Sequence, residues 1–258
     1  MSTPVGELLR DWRGRRRLSQ LDLSLRADIS ARHLSFVETG RSAPSRDMVL
    51  RLAEQLEVPL RERNRLLLAA GFAPAYRESA LDSPRLSAVQ AAVRQVLAAH
   101  EPYPSVAVDR RWNLVEANAA SSLFTDDIAP HLLAGQPNAL RISLHPDGMA
   151  PRIANLGQWR AHLLGRLARE VAVSGDADVA ELLAELREYP CDEPEVEVPD
   201  TGEVFVPLRI RYEDAELSLL STVSTFGTAL DVTVAELSVE SFFPADAATA
   251  SFLRARLT

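Results

Sequence analysis

The 258-residue chain has no lysine, since all 28 of its Lys+Arg positions are arginine. That bias points to a GC-rich coding sequence and carries no functional message. There is one cysteine, Cys191, which excludes an internal disulfide and a cysteine-built metal cluster. Its acidic neighbours Asp192 and Glu193 make it a poor candidate nucleophile. No apolar run approaches the roughly 18 residues of a membrane span. The opening stretch MSTPVGELLRDWRGRRR has charge with no apolar segment behind it, unlike a signal peptide. Catalytic signatures are missing too. No P-loop is present, and no serine sits in a G-x-S-x-G context. His131, His145 and His162 do not have the spacing of a helix-borne metal pair. These absences lead us to expect a soluble cytoplasmic protein with no membrane association, no enzymatic activity, no catalytic residues, no metal and no cofactor.

The net charge of −8 is unevenly spread. Residues 1–80 carry 14 Arg against 10 Asp and Glu, while the remainder carries 14 Arg against 26 acids. A basic end suits a polyanion that the acidic end would repel. The length suits two domains.

The first 80 residues read as five short helices. Leu8, Leu9 and Trp12 recur at helical spacing between Val5 and Arg17. Ser19 caps a second helix, with Asp22 as capping-box partner, and this helix carries Leu21, Leu23 and Leu25. Ala27-Asp28-Ile29 forms a tight turn. Ser30 then caps a third helix that holds Leu34 and Val37 inward and ends near Gly40, a residue suited to a left-handed cap. Pro44-Ser45 opens a fourth helix, and the Leu66-Leu67-Leu68 helix ends at Gly71.

Two helices joined by about three residues, with small Ser24 where they touch, form a helix-turn-helix. Its second helix presents its leading side chains to the major groove, here Ser30, Ala31, Arg32, His33 and Phe36. Arg32 is suited to a bidentate contact with guanine, and Phe36 or Ala31 to a thymine methyl. Gln20, at a helix N-terminus, suits a phosphate. Arg15, Arg16, Arg41 and Arg46 are candidate backbone contacts.

The stretch LSQLDLSLRADISARHLSFVETGRSAPS resembles the XRE (lambda repressor-like) helix-turn-helix family over about 65 residues. The resemblance implies a five-helix all-α DNA-binding domain, residues 1–72. It also implies that an arginine of the first helix pairs with the glutamate ending the recognition helix, by position Arg13 and Glu38.

Residues 73–84 hold two of the chain's prolines and read as a linker. An amphipathic helix follows, with Leu86, Val89, Val93 and Val96/Leu97. It suits a dimer contact, a place in the second core, or both. EPYPSVAVDRRWNLVEAN reads as two strands about Arg110-Arg111. After a short helix at Ala119–Phe124, a Pro/Gly-rich stretch runs to Pro151. Two helices follow: one carries Ile153 to Val171, the other spans Asp178–Glu188. The acidic run CDEPEVEVPDTGE reads as a loop. Strands are expected at Val204–Tyr212, Glu216–Thr225 and Asp231–Val239, then a helix at Asp246–Arg256. This order gives an α+β domain with an antiparallel sheet and flanking helices, residues 85–258, of the PAS-like kind.

RHLSFVETGRSAPSRDMVLRLAEQLEVPLRERNRLLLAAGFAP, with DRRWNLVEAN, LHPDGM and LSVESFFPAD, is similar to the MmyB-like XRE regulators. The resemblance implies a PAS-like ligand-binding domain and, as effector, a fatty acid or similar apolar molecule. Pocket candidates are Trp112, Leu114, Phe124, Trp159, Leu163, Phe205, Phe226 and Phe242. Polar anchors would come from Asn118, His131, Arg160 or His162. The expected protein is a sequence-specific regulator that binds double-stranded DNA as a homodimer and senses a small apolar ligand. The alternative is a DNA-binding module whose second domain takes a protein partner instead.

Overall fold

A computed structural model describes residues 4–193 and 205–256. The chain divides into two compact units.

The first unit runs to Ser79 and includes Ala172–Ser174 and Ala229–Ala235. Its five helices are α1 (Val5–Arg15), α2 (Gln20–Arg26), α3 (Ala31–Glu38), α4 (Arg46–Gln55) and α5 (Leu60–Ala69). Serines start three of them: the hydroxyls of Ser19, Ser30 and Ser45 accept the amides of Asp22, His33 and Met48. Helix α1 stops two residues before the expected Arg17, which lies at φ 53° and turns the chain toward α2. Leu9, Trp12, Leu23, Leu34, Val37, Leu52 and Leu67 are buried together as one core. Each large apolar side chain removed from water in this way contributes about 1.5–3 kcal/mol before entropy is counted. On α2 only Leu23 joins that core; Leu21 and Leu25 are exposed, since a seven-residue helix buries a single stripe.

Part of the stretch read as a linker is fixed to this unit. The Asn64 side chain accepts the amides of Ala75 and Tyr76 and donates to the Tyr76 carbonyl. Ser79 Oγ donates to Asp231 at 2.7 Å, and Thr233 Oγ1 donates to the Ser79 carbonyl at 2.7 Å.

The second unit is an α+β domain. Helix α6 (Ser87–Ala99) precedes strands β1 (Ser105–Val108) and β2 (Leu114–Ala117). Short helices α7 (Ser122–Thr125), α8 (Pro130–Leu133) and α9 (Ala139–Leu144) follow, then the long α10 (Leu156–Ser174) and α11 (Ala177–Arg187). Strands β3 (Leu208–Tyr212) and β4 (Ala215–Thr225) come next, then α12 (Val232–Ala235, described above with the first unit), β5 (Ser238–Pro244) and α13 (Ala247–Arg256). The five strands form one antiparallel sheet in the order β2-β1-β5-β4-β3.

The two faces of the sheet differ because side chains alternate along each strand. On one face Ala107 and Val239 pack against Val93 and Leu97 of α6. On the other, Val106, Val108, Leu208, Ile210, Leu217, Leu219 and Phe242 join Leu140, Ile142, Trp159, Leu163, Leu167 and Leu183 in the main core.

Two elements differ from expectation. The last strand lies at Ser238–Pro244, not Asp231–Val239. Asp231 Oδ1 accepts the Thr233 amide and opens the short helix there, and the alternating Val239, Glu240 and Phe242 define the strand. The Pro/Gly-rich stretch before Pro151 also contains α8 and α9. Asn138 starts α9 by accepting the amides of Leu140 and Arg141 at 3.1 Å each. The loop expectation for the acidic run falls outside the described residues beyond Glu193.

Candidate functional site

Two places carry functional geometry, one in each unit. In the first, α2 and α3 are joined by Ala27-Asp28-Ile29. Asp28 takes φ 52°, a left-handed conformation that aspartate tolerates better than most residues. The Ile29 amide returns to the Ser24 carbonyl at 3.0 Å, and Ser24 is buried where the helices meet. Helix α3 ends at Gly40, φ 71°, which lets the amides of Arg41 and Ser42 reach the Phe36 carbonyl.

Helix α3 is held from behind by Glu38, which is only 2% exposed. Its carboxylate receives Arg13 Nε at 2.7 Å, Arg13 Nη2 at 3.0 Å and Gln20 Nε2 at 2.7 Å. Burial pushes this carboxyl up, but the bonds from Arg13 and Gln20 and the charges of Arg13 and Arg10 outweigh it and hold it below its ordinary value. Three helices thus meet at one carboxylate. Gly6 lets α1 come close: a Cβ there would lie inside contact distance of the Val37 carbonyl and 2.8 Å from the Glu38 carbonyl oxygen.

The expected DNA-contacting residues separate into two groups. Arg32, Arg41 and Arg46 are exposed, and the guanidinium carbons of Arg32 and Arg41 lie 5.4 and 6.0 Å from the centroid of half-buried Phe36. Ala31 and His33 are partly exposed on the leading turn, where Ser30 serves as cap. Arg15 is exposed, its guanidinium 5.3 Å from the Trp12 ring. The other two have internal partners. Gln20 binds Glu38, and Arg16 donates to the carbonyls of Leu56 and Glu57 at 2.8 and 3.0 Å. Arg16 thereby satisfies the open end of α4, a role that short-range sequence spacing does not reveal.

The second unit contains a cavity of about 350 Å³ between the inner sheet face and the helices α7, α9 and α10. Trp112, Leu114, Phe124, Leu140, Ile142, Met149, Leu163 and Phe242 supply its apolar wall. Trp112 reaches it from φ 65°, unusual for a bulky residue, at the turn where its amide donates to the Asp109 carbonyl at 3.0 Å. Its indole Nε1 donates to Glu170 at 3.2 Å, and the Arg166 guanidinium lies 4.3 Å from its centroid.

Of the expected pocket residues, Trp112, Leu114, Asn118, Phe124 and Leu163 line this cavity, as does Phe242. Asn118 has little left to offer a ligand. It accepts from the Ser105 amide and Ser121 Oγ and donates to the Tyr103 and Leu97 carbonyls. Trp159 stands one layer back, donating to Ser143 Oγ at 3.0 Å, and Ser143 lines the cavity. Arg160 is buried elsewhere, donating to the Arg187 carbonyl at 2.7 Å. His162, two residues on, stacks on the Trp159 ring; burial, then the charges of Arg166 and Arg169, lower its pKa. Phe226 packs by α6, on the opposite sheet face, and Phe205 is 53% exposed.

Glu240 is the wall residue that sequence reading missed. It is 5% exposed, lines the cavity beside Phe242, and accepts from Arg166 Nη1 at 3.2 Å. Burial pushes its carboxyl above its ordinary value, against the opposing pull of Arg166 and a bond from Ser221. Ending the last strand at Val239 left it out; the Val-Glu-Ser-Phe alternation was the available signal.

The fold also gathers His131, His145 and Asp147, whose ligating atoms lie within 4.8 Å of one another. The linear spacing of the histidines gives no hint of this, because a loop brings them together. His145 Nδ1 accepts the Asp147 amide at 3.0 Å.

A helix pair with an exposed, arginine-bearing leading turn, in a chain that also has a domain lining an apolar cavity, fits a two-domain DNA-binding transcription regulator with a ligand-binding half, and the family matches agree. Residues 9–63 match the helix-turn-helix family. Residues 89–255 match the MmyB-like transcription regulator ligand binding domain, and the chain belongs to that family. Both matched families are binding domains and not enzymes. No curated protein matches the chain. Among the described residues no helix is long and apolar enough to cross a membrane.

Proposed function

We propose that this protein is a homodimeric regulator whose DNA affinity responds to a small apolar effector in the second-unit cavity. The observation that carries this reading is the cavity itself: about 350 Å³, walled mainly by apolar side chains, within the region matching a ligand-binding domain. Its size lies in the range of small-molecule pockets. The effector acts only through unequal affinity for DNA-competent and DNA-incompetent states.

The dimer follows from specificity. One recognition helix reads few base pairs, too few to single out an operator among a genome's competing sites. Two copies reading half-sites about 34 Å apart, or a multiple of that, multiply the discrimination. Arg32 reads a base, while Arg15, Arg41 and Arg46 hold phosphates. The test is to extract bound small molecules from purified protein, identify them by mass, and measure operator affinity before and after. A footprint with two-fold symmetry and an affinity that changes on extraction are expected. Equal affinity in both states removes the effector reading, and an asymmetric footprint removes the dimer.

A further inference from the structure

We propose that the cavity selects an uncharged apolar molecule that donates a hydrogen bond, such as one bearing a hydroxyl, over a fatty-acid carboxylate. This rests on the reading of the cavity as an effector pocket and specifies its chemistry.

Three observations carry it. First, among the described residues that line the cavity there is no Arg or His, so no cation faces the space directly. Second, the ionisable group in the wall is acidic. Glu240 and Phe242 point into the cavity from the same face of β5, and Glu240 is almost fully buried. Third, the nearby cation is already engaged. Arg166 donates to Glu240 at 3.2 Å and lies over the Trp112 ring, 4.3 Å from its centroid.

The charge count then decides. A carboxylate entering this space adds a second anion beside Arg166, whose charge Glu240 already balances. Either one negative charge remains uncompensated in a largely apolar site or a proton must be taken up, and both cost affinity. An ammonium group would gain little, because Glu240 already has its cation. A hydroxyl brings no charge and donates to the carboxylate oxygens.

The other polar wall groups already have partners in the fold. Ser121 Oγ shares its one proton between the Ser105 carbonyl at 2.9 Å and Asn118 Oδ1 at 2.8 Å and accepts the Ser105 amide at 3.1 Å. Asn118 is occupied as described, Thr125 Oγ1 donates to the Ser122 carbonyl at 3.4 Å, and the hydroxyls of Ser122 and Ser143 accept from Arg256 and Trp159. Glu240 is the ionisable group of the wall and so its strongest acceptor for a polar end.

The test uses the full chain and three probes of equal length, 1-octanol, octanoate and octylamine, at pH 8. Binding is read by calorimetry and by tryptophan fluorescence, with Trp112 in the wall. Octanol is expected to bind at least tenfold more tightly than either ion. In Glu240→Gln the amide oxygen still accepts from octanol, while Arg166 is freed, so octanoate is expected to gain at least tenfold. Tighter wild-type binding of octanoate or octylamine overturns the proposal and leaves the pocket reading standing. So does an unchanged octanol-to-octanoate ratio in a folded Glu240→Gln. The wild-type ratio decides the matter if that variant does not fold. If none of the three probes binds, the pocket reading fails and the proposal falls with it.

Discussion

The Arg13–Glu38 pair gives the sharpest prediction. Arg13→Met keeps most of the aliphatic stem and removes the guanidinium. Glu38 then remains buried with Gln20 as its nearest donor, since the Nε and Nη2 bonds at 2.7 and 3.0 Å are gone. An exposed pair of this kind contributes about 0–1 kcal/mol. Removing one partner of a buried pair costs about 3–5 kcal/mol, because a charge is left without compensation. Glu38 is 2% exposed and the Arg13 side chain 17%, so the buried case applies. For a domain of this size such a loss lowers the melting temperature by roughly 10 °C or more.

The pH dependence supplies a second signature. In the wild type the Glu38 carboxyl is held below its ordinary value. Its stabilisation is therefore present above the unfolded pKa and lost as pH falls through the lowered folded one. In the variant only the Gln20 bond and the Arg10 charge oppose burial, so the carboxyl moves up and the loss of stability on lowering the pH shrinks. The gap between the proteins should be widest near neutrality and narrow toward about pH 4, the ordinary carboxylate range. Amide hydrogen exchange in α1–α3, measured across pH, reads this unit alone. A neutral-pH loss under about 1 kcal/mol, or a gap that does not change with pH, refutes the reasoning. Arg13→Met combined with Glu38→Leu should recover much of the loss, since an apolar pair of similar volume has no charge to compensate.

Three further outcomes are expected. Gly6→Ala should destabilise the first unit by about 1–3 kcal/mol, because its methyl forces α1 away from the end of α3, and urea unfolding checks this. Arg32→Ala should relax preference at one base position per half-site, worth about 1–3 kcal/mol of discrimination, while Arg46→Ala weakens all sequences alike; a binding profile over randomised operators separates the two. Ala139→Phe should reduce the cavity, lower probe affinity by about tenfold, or about 1.4 kcal/mol, and leave operator binding by ligand-free protein unchanged, as calorimetry and gel shift will show.

The first unit was legible because its determinants are local. Capping serines at Ser19, Ser30 and Ser45 sit next to the turns they organise, and helical spacing identifies the buried stripe within a few residues. The motif from Leu18 to Ser45 was enough to place the recognition helix, and the family resemblance implied the Arg13–Glu38 pair. The occupation of Arg16 by the carbonyls ending α4, and of Gln20 by Glu38, was not legible, since those partners lie 40 and 18 residues away in the chain.

In the second unit, sequence established a strand pair, a helical stretch and a further run of strands, and therefore an α+β domain with an antiparallel sheet. Five of its expected pocket residues line the cavity, because large apolar residues on inward faces are drawn to the same interior. What only the tertiary structure decided was which polar groups face that space. A strand's register sets the side on which every residue lies, so locating β5 at Ser238–Pro244 brought Glu240 into the wall. The joining of His131 to His145 and Asp147, and the clustering of Arg166 with Trp112 and Glu240, depend on loops and sheet order. Composition and periodicity specify how segments fold and which face they bury; the meeting of charges distant in the chain is set by packing alone.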